Sequence, residues 1–128
     1  MSATASWAGR ALSGLVILFL LGASVTPKLL GMKAATGALT GLGWDPRHAF
    51  ALGLIELACT LFYAVPRTSV LGAVLTTALL GGAIATNWRA DQPLLSHTLF
   101  GVYLGLALWG GLWLRDPALR AIMPVRFG

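Results

Sequence analysis

The sequence predicts an all-α integral membrane protein, built as a four-helix antiparallel bundle with a short C-terminal interfacial helix. Of the 128 residues, 57% are hydrophobic and only 10% are charged, whereas about 25% of a soluble domain is charged. Four apolar runs lie near residues 7–31, 46–65, 68–88 and 94–114. Each has about the 20 residues that cross a bilayer, so residues 1–128 are predicted to form a single transmembrane domain.

Capping signals set the helix boundaries. Asp45 before Pro46 is typical of an N-cap followed by proline at the first helical position, and Pro66 ends the same run. The turn that follows is very short, so the third run must return beside the second. Asp116-Pro117 repeats the capping signal and predicts the interfacial helix.

The connector between the first two runs is rich in glycine and too polar to span. We expect its segment 32–39 to lie along the membrane surface as a short helix.

The net charge of +5 comes from residues that fall between apolar runs, where they act as topology signals and contact lipid headgroups. Nucleic acid is therefore excluded as a partner, and the lipid bilayer is expected instead. With four spans, both termini lie on one side. That side carries more arginine than the other, which predicts cytoplasmic termini. Its basic residues are Arg10, Arg67, Arg115, Arg120 and Arg126.

Glu56 lies in the middle of the second apolar run. A charged side chain at the centre of a membrane helix costs about 2.5–3.5 kcal/mol, so it normally faces the protein interior and serves a purpose. At 100° per residue, Glu56 shares one small and polar arc with four other residues. These are Ala49, Gly53, Thr60 and Tyr63. The carboxyl group is therefore predicted to point into the bundle.

Other polar residues fall at helix ends on the same side as Asp45, where they can form a vestibule above Glu56. The predicted ligand-binding residues are Lys28, Glu56, Asn87, Arg89, His97 and Tyr103. Structural alternatives remain open for them. Glu56 can tie helices together through hydrogen bonds, Lys28 and Arg89 can anchor to headgroups, and Asn87 can cap its helix.

We expect Glu56 to be mostly protonated, because burial disfavours its charged form. Counted at the helical rise of 1.5 Å per residue, the backbone of Lys28 lies about 10 Å nearer the membrane surface than that of Glu56. Direct pairing would require both side chains to extend fully, and we do not expect it.

The chain resembles the DoxX-like family of small four-helix bacterial membrane proteins. The resemblance covers nearly the whole chain. The segments that carry it include Leu52 to Cys59, Pro66-Arg67-Thr68, Gly81 to Thr86, His97 to Phe100 and Trp109 to Asp116. The resemblance implies a multi-pass protein of the bacterial cytoplasmic (inner) membrane. Some members of the wider family are similar to the membrane subunit of a thiosulfate–quinone oxidoreductase, and others accompany redox enzymes or act as assembly factors. Asn87 stands where the family pattern has histidine.

Three functions fit these observations. The first is a membrane subunit that holds a quinone or similar apolar molecule in a pocket centred on Glu56. The second is an accessory or assembly subunit that packs against a larger membrane complex or a second copy. The third is a proton-linked carrier of a small solute, which the absence of an internal repeat disfavours. The sequence contains no Walker, Rossmann, hydrolase or metal-site motif. An enzymatic role is therefore at most that of a membrane subunit of an oxidoreductase, and quinone is the candidate cofactor.

The orientation can be tested by labelling from outside the cell with a membrane-impermeant thiol reagent. With cytoplasmic termini, a cysteine introduced at Gly37 should react and one introduced at Ser2 should not. The reverse pattern would show that the arginine count misassigns the two sides.

Overall fold

The computed structural model describes residues 3–126, which contain helices and no strand. The helices are α1 (Ala3–Leu29), α2 (Lys33–Gly41), α3 (Ala49–Ala64), α4 (Ser69–Arg89), α5 (Phe100–Arg115) and α6 (Pro117–Ile122). The predicted all-α fold is confirmed, including the short C-terminal helix. Ser2, the labelling position proposed above, lies outside the described residues.

Both predicted caps are present. The Asp45 carboxylate accepts a hydrogen bond from Arg47 N at 2.9 Å and begins a 3-10 turn at Pro46–His48 that leads into α3. The Asp116 carboxylate accepts from Ala118 N at 3.0 Å and starts α6. In each case the side chain satisfies a backbone N–H that the first helical turn leaves without a partner.

Three helical segments are long and apolar enough to cross a membrane, namely Ala3–Leu29, Pro66–Arg89 and Leu94–Arg115. The helix α3 is not among them, because its 16 residues fall short of the about 20 that cross a bilayer and the 3-10 turn that precedes it, Pro46–His48, is polar. Its crossing of the bilayer stays a prediction. Large apolar side chains cover the outside of the bundle, with Leu18 and Leu106 each 69% exposed, which suits a surface surrounded by lipid.

The helices form a closed ring in which each neighbours the next. The first half of α1 packs on α5, α5 on α4, and α4 on α3, while the second half of α1 completes the ring against α3. The start of α1 lies beside the end of α5, and the end of α3 beside the start of α4. Sequential helices are therefore antiparallel. We call the end with Ser13 and Tyr63 the terminal end, and the end with Lys28 and His97 the cavity end.

Glycines bring the helices into backbone contact at the terminal end. A Cβ on Gly72 of α4 would overlap the backbone of Tyr63 on α3. A Cβ on Gly9 of α1 would lie 2.7 Å from the carbonyl oxygen of Gly111 on α5. Such close approach is how membrane helices gain packing energy. The buried core lies mostly at this end and comprises Val16, Leu20, Tyr63, Ala73, Leu108, Leu112 and Leu119.

The inward arc predicted on α3 is confirmed. Ala49, Gly53, Thr60 and Tyr63 are buried, and the Glu56 side chain is only 12% exposed. The aliphatic side chains on the opposite face, including Leu54, Ile55 and Leu61, are exposed.

We expect Gly72→Ala to destabilise the bundle by about 2 kcal/mol, within the range for overpacking of a tight contact. The physical reason is that α3 and α4 must separate to admit the methyl group. Gly81→Ala on the same helix is the matched control, because a Cβ there meets nothing within 4 Å. Unfolding of both variants in detergent with a chemical denaturant measures the difference. Equal stability of the two would contradict backbone contact at Gly72.

Candidate functional site

A cavity of about 640 Å³ opens at the cavity end, within the size range of small-molecule sites. The second half of α1, α2, α3, the end of α4 and the start of the last span all contribute to its wall. The wall is mainly apolar, with side chains such as Phe19, Leu39, Leu52 and Leu104. Its polar side chains include Ser24, Lys28, Glu56, Asn87, His97 and Thr98.

Lys28 and Glu56 form an ion pair in this wall. The Lys28 ammonium donates to Glu56 Oε2 at 2.7 Å and to Ser24 Oγ at 2.8 Å. The two side chains are 23% and 12% exposed, so the pair is largely withdrawn from solvent but still borders the cavity. A lysine ammonium has three N–H donors, and these two bonds leave one for a ligand.

The expectation that Lys28 and Glu56 do not pair is therefore wrong, and Gly53 is the physical reason. A Cβ on Gly53 would lie 3.0 Å from Lys28 Cβ, so α1 approaches the backbone of α3 directly. Glu56 follows Gly53 by three residues, which is about 4.5 Å along the helix. The lysine chain spans that distance. The protonation state expected for Glu56 stays a prediction.

Two π-helical turns border the cavity. One is Leu20–Val25 within α1, and the other is Leu94–Thr98 at the start of the last span. The first precedes Pro27, which has no N–H to donate, and the Thr26 hydroxyl donates to Leu21 O at 2.7 Å. Turns of this kind widen a helix locally and occur often at functional sites. They place Ser24 and His97 in the cavity wall.

The structure brings four of the six predicted site residues to the cavity, namely Lys28, Glu56, Asn87 and His97. Asn87 Nδ2 also donates to Ala83 O at 2.7 Å, one turn earlier within the same helix. This carbonyl is not among the last four of the helix, so the bond is not the cap that the structural alternative for Asn87 supposed. His97 is exposed, and its Nδ1 lies 2.8 Å from Ser96 Oγ. Ligand binding by these residues stays a prediction.

The other two predicted residues lie outside the cavity lining. Arg89 Nη2 donates to Leu42 O at 3.1 Å, which ties the segment after α2 to the end of α4. The Tyr103 hydroxyl donates to Leu95 O at 2.9 Å on the exposed side of the last span. The face of the last span on which Tyr103 lies depends on the π turn before it.

Sequence reasoning missed the role of α2. The predicted short helix exists, but one of its faces covers the cavity, where Ala34, Ala35, Ala38 and Leu39 contribute to the wall. Their spacing along one helical face was the signal available in the sequence.

The sequence profile of the DoxX-like family matches residues 11–111. The chain belongs to the DoxX-like family. The matched stretch contains the four predicted site residues that line the cavity, and it ends before Arg115 and α6. No curated protein and no solved structure matches this DoxX-like chain.

A double-mutant cycle tests the energetic coupling between Lys28 and Glu56. We expect Lys28→Met and Glu56→Gln each to destabilise the fold, because either change strands the other polar group in an apolar wall. The double variant should lose less than the sum of the two, with a coupling of about 1–2 kcal/mol. Denaturant unfolding in detergent measures all four proteins. Strictly additive losses would show that the two side chains do not interact.

Proposed function

We propose that this membrane protein is a binding subunit that holds the head of a quinone, or of a similar apolar small molecule, beside the Lys28–Glu56 pair. The single observation that carries the proposal is this pair in the wall of an apolar cavity of about 640 Å³. An ion pair in such a place is costly unless it serves the fold or a ligand. Its exposure to the cavity favours a ligand.

The polar groups suit an oxygen-bearing ring. The remaining N–H of Lys28 can donate to a carbonyl oxygen, and among residues 3–126 nothing donates to Glu56 Oε1, which can therefore accept from a hydroxyl. Quinones exchange protons when they are reduced, and these two side chains are suited to hold and supply a proton. Trp44, Phe19 and Phe100 offer aromatic faces in the same wall.

The apolar lining accounts for the rest of such a ligand. Leu79, Leu80 and Ile84 of α4 and Leu104 of α5 belong to the wall, and the outside of the bundle is itself apolar. A ligand with a hydrocarbon tail would therefore contact apolar surface along its whole length. A freely water-soluble solute would not use this surface, which makes a small-solute carrier the weaker alternative.

A role as an accessory or assembly subunit is the second candidate. A Cβ on Gly22 or Gly81 would meet nothing within 4 Å, and neither glycine lines the cavity. These glycines therefore leave small-residue surface that no described helix of this chain covers, and membrane helices associate through such surface. Co-purification of a larger membrane complex after mild extraction, lost in Gly81→Leu, would favour this role. The two roles are compatible.

Quinone binding can be measured by titrating the purified protein with a short-chain benzoquinone and following tryptophan fluorescence. Trp44 lines the cavity, so its emission should be quenched, and Trp44→Phe identifies its share of the signal. We expect Glu56→Gln to weaken binding about tenfold, the loss expected for one charge-assisted hydrogen bond.

The matched control is Asp45→Asn, which removes an exposed carboxylate whose Oδ2 lies 3.4 Å from Arg47 Nε, just before the same helix. It should bind as the wild type does. If the wild-type protein neither co-purifies with quinone nor responds to the titration, the proposal is wrong.

A further inference from the structure

A second cavity, of about 370 Å³, lies at the terminal end of the bundle. Arg10, Ser13 and Ile17 reach it from one face of α1, Ala64 and Pro66 from the turn between α3 and α4, and Arg115 from the end of α5. Two arginines from opposite ends of the chain thus line one cavity. We call it the arginine cavity.

Neither guanidinium has a carboxylate partner among residues 3–126. Within residues 3–126 the ion pairs are Lys28–Glu56 and Asp45–Arg47. The nearest carboxylate in sequence to Arg115 is that of Asp116, and it accepts from the backbone N–H groups of Ala118 and Leu119 at the start of α6. The arginine cavity therefore carries positive charge without an internal counter-charge.

A chain of hydrogen bonds holds Arg115 in place. Its Nε donates to Ser13 Oγ at 3.1 Å, Ser13 Oγ lies 2.9 Å from the Tyr63 hydroxyl, and that hydroxyl donates to Leu108 O at 2.5 Å. Because the Tyr63 proton goes to the carbonyl, Ser13 donates to Tyr63 and accepts from Arg115. The guanidinium also lies over the Tyr63 ring, with Cζ 5.4 Å from its centre.

This arrangement leaves the two terminal nitrogens of Arg115 without a protein acceptor among the described residues. Arg10 adds a second guanidinium, whose Cζ lies 5.0 Å from the ring centre of Trp7 on its own helix. A guanidinium group with free N–H donors binds the oxygens of a phosphate in a forked geometry, and a second arginine in the same cavity wall adds positive charge. The charge and the donors thus point to a phosphate-bearing ligand.

The surroundings point to a lipid as the source of that phosphate. Ile17 and Ala64 form apolar parts of the wall, and Leu18 and Val65, which follow them in sequence, are exposed on the outside of the bundle. Arg115 is the last residue of α5 and Arg10 lies in the first third of α1, toward the helix ends where headgroups meet the hydrocarbon region. Basic pockets between membrane helices bind anionic headgroups in this way.

We propose that the arginine cavity is a binding site for the phosphate of an anionic phospholipid, such as phosphatidylglycerol or cardiolipin. The site lies at the opposite end of the bundle from the Lys28–Glu56 cavity and goes beyond the ligand proposed for it. Arg10 and Arg115 both fall outside the stretch of residues 11–111 that matches the family profile.

Native mass spectrometry of the full-length protein, released from detergent after repeated washing, measures the retained lipid. We expect the wild type to keep one anionic phospholipid. Arg10→Gln and Arg115→Gln should each lower retention about fivefold, the effect of about 1 kcal/mol per basic residue at a membrane surface. The double variant should keep almost none. Arg67→Gln is the matched control, because it removes an exposed arginine of the same end that does not line the cavity.

A second measurement distinguishes a lipid headgroup from free inorganic phosphate as the ligand. Inorganic phosphate at millimolar concentration should neither displace the bound lipid nor raise the melting temperature of the delipidated protein. If inorganic phosphate binds and lipid is not retained, the site takes a free anion and the lipid assignment is wrong.

If Arg115→Gln fails to fold, Arg10→Gln still tests the proposal. Among residues 3–126 the guanidinium of Arg10 contacts Trp7 of its own helix and makes no hydrogen bond or ion pair with another helix, so its loss should not disturb the packing. Retention that is unchanged in Arg10→Gln, or that falls equally in Arg67→Gln, would overturn the proposal.

Discussion

Backbone contact between helices at the terminal end is the constraint on which the rest of the structure depends. Gly9, Gly72 and Gly111 admit neighbouring backbones that any side chain would displace. Because apolar burial gives little net gain between helices already in lipid, packing at this range supplies much of their association energy. The helices therefore pack tightly around Tyr63 at the terminal end, where the cavity is about 370 Å³, and the larger cavity of about 640 Å³ lies at the other end.

The Lys28–Glu56 pair joins α1 to α3 at the open end. This ion pair also depends on a glycine at a helix contact, since Gly53 lets Lys28 Cβ approach α3 closely. The attraction between two opposite charges at hydrogen-bonding distance offsets part of the free-energy cost of removing each of them from water, whereas a single charge has no such offset. The pair thus accounts for how this membrane helix carries a glutamate, and its remaining donor and acceptor are still available at the cavity wall.

The two cavities differ in chemistry because of where the carboxylates lie. At the cavity end, Glu56 neutralises Lys28 and the wall is otherwise apolar, which suits a neutral ligand with a polar head. At the terminal end, Arg10 and Arg115 line a cavity and no carboxylate among residues 3–126 pairs with either of them, which suits an anion. The two cavities therefore differ in charge as well as in size.

The amino-acid sequence by itself determined the fold class, the two Asp-Pro helix starts and the inward direction of Glu56. These depend on local signals, such as apolar run length, the Asp-Pro caps and the helical period of α3. Only the tertiary structure decided that Lys28 pairs with Glu56 and that α2 covers the larger cavity. It also decided that Tyr103 lies outside that cavity's lining and that Arg10 and Arg115 line the same smaller cavity. Each of these depends on how closely and at what rotation two helices pack, and that follows from glycine contacts and π turns whose partners lie far apart in the chain.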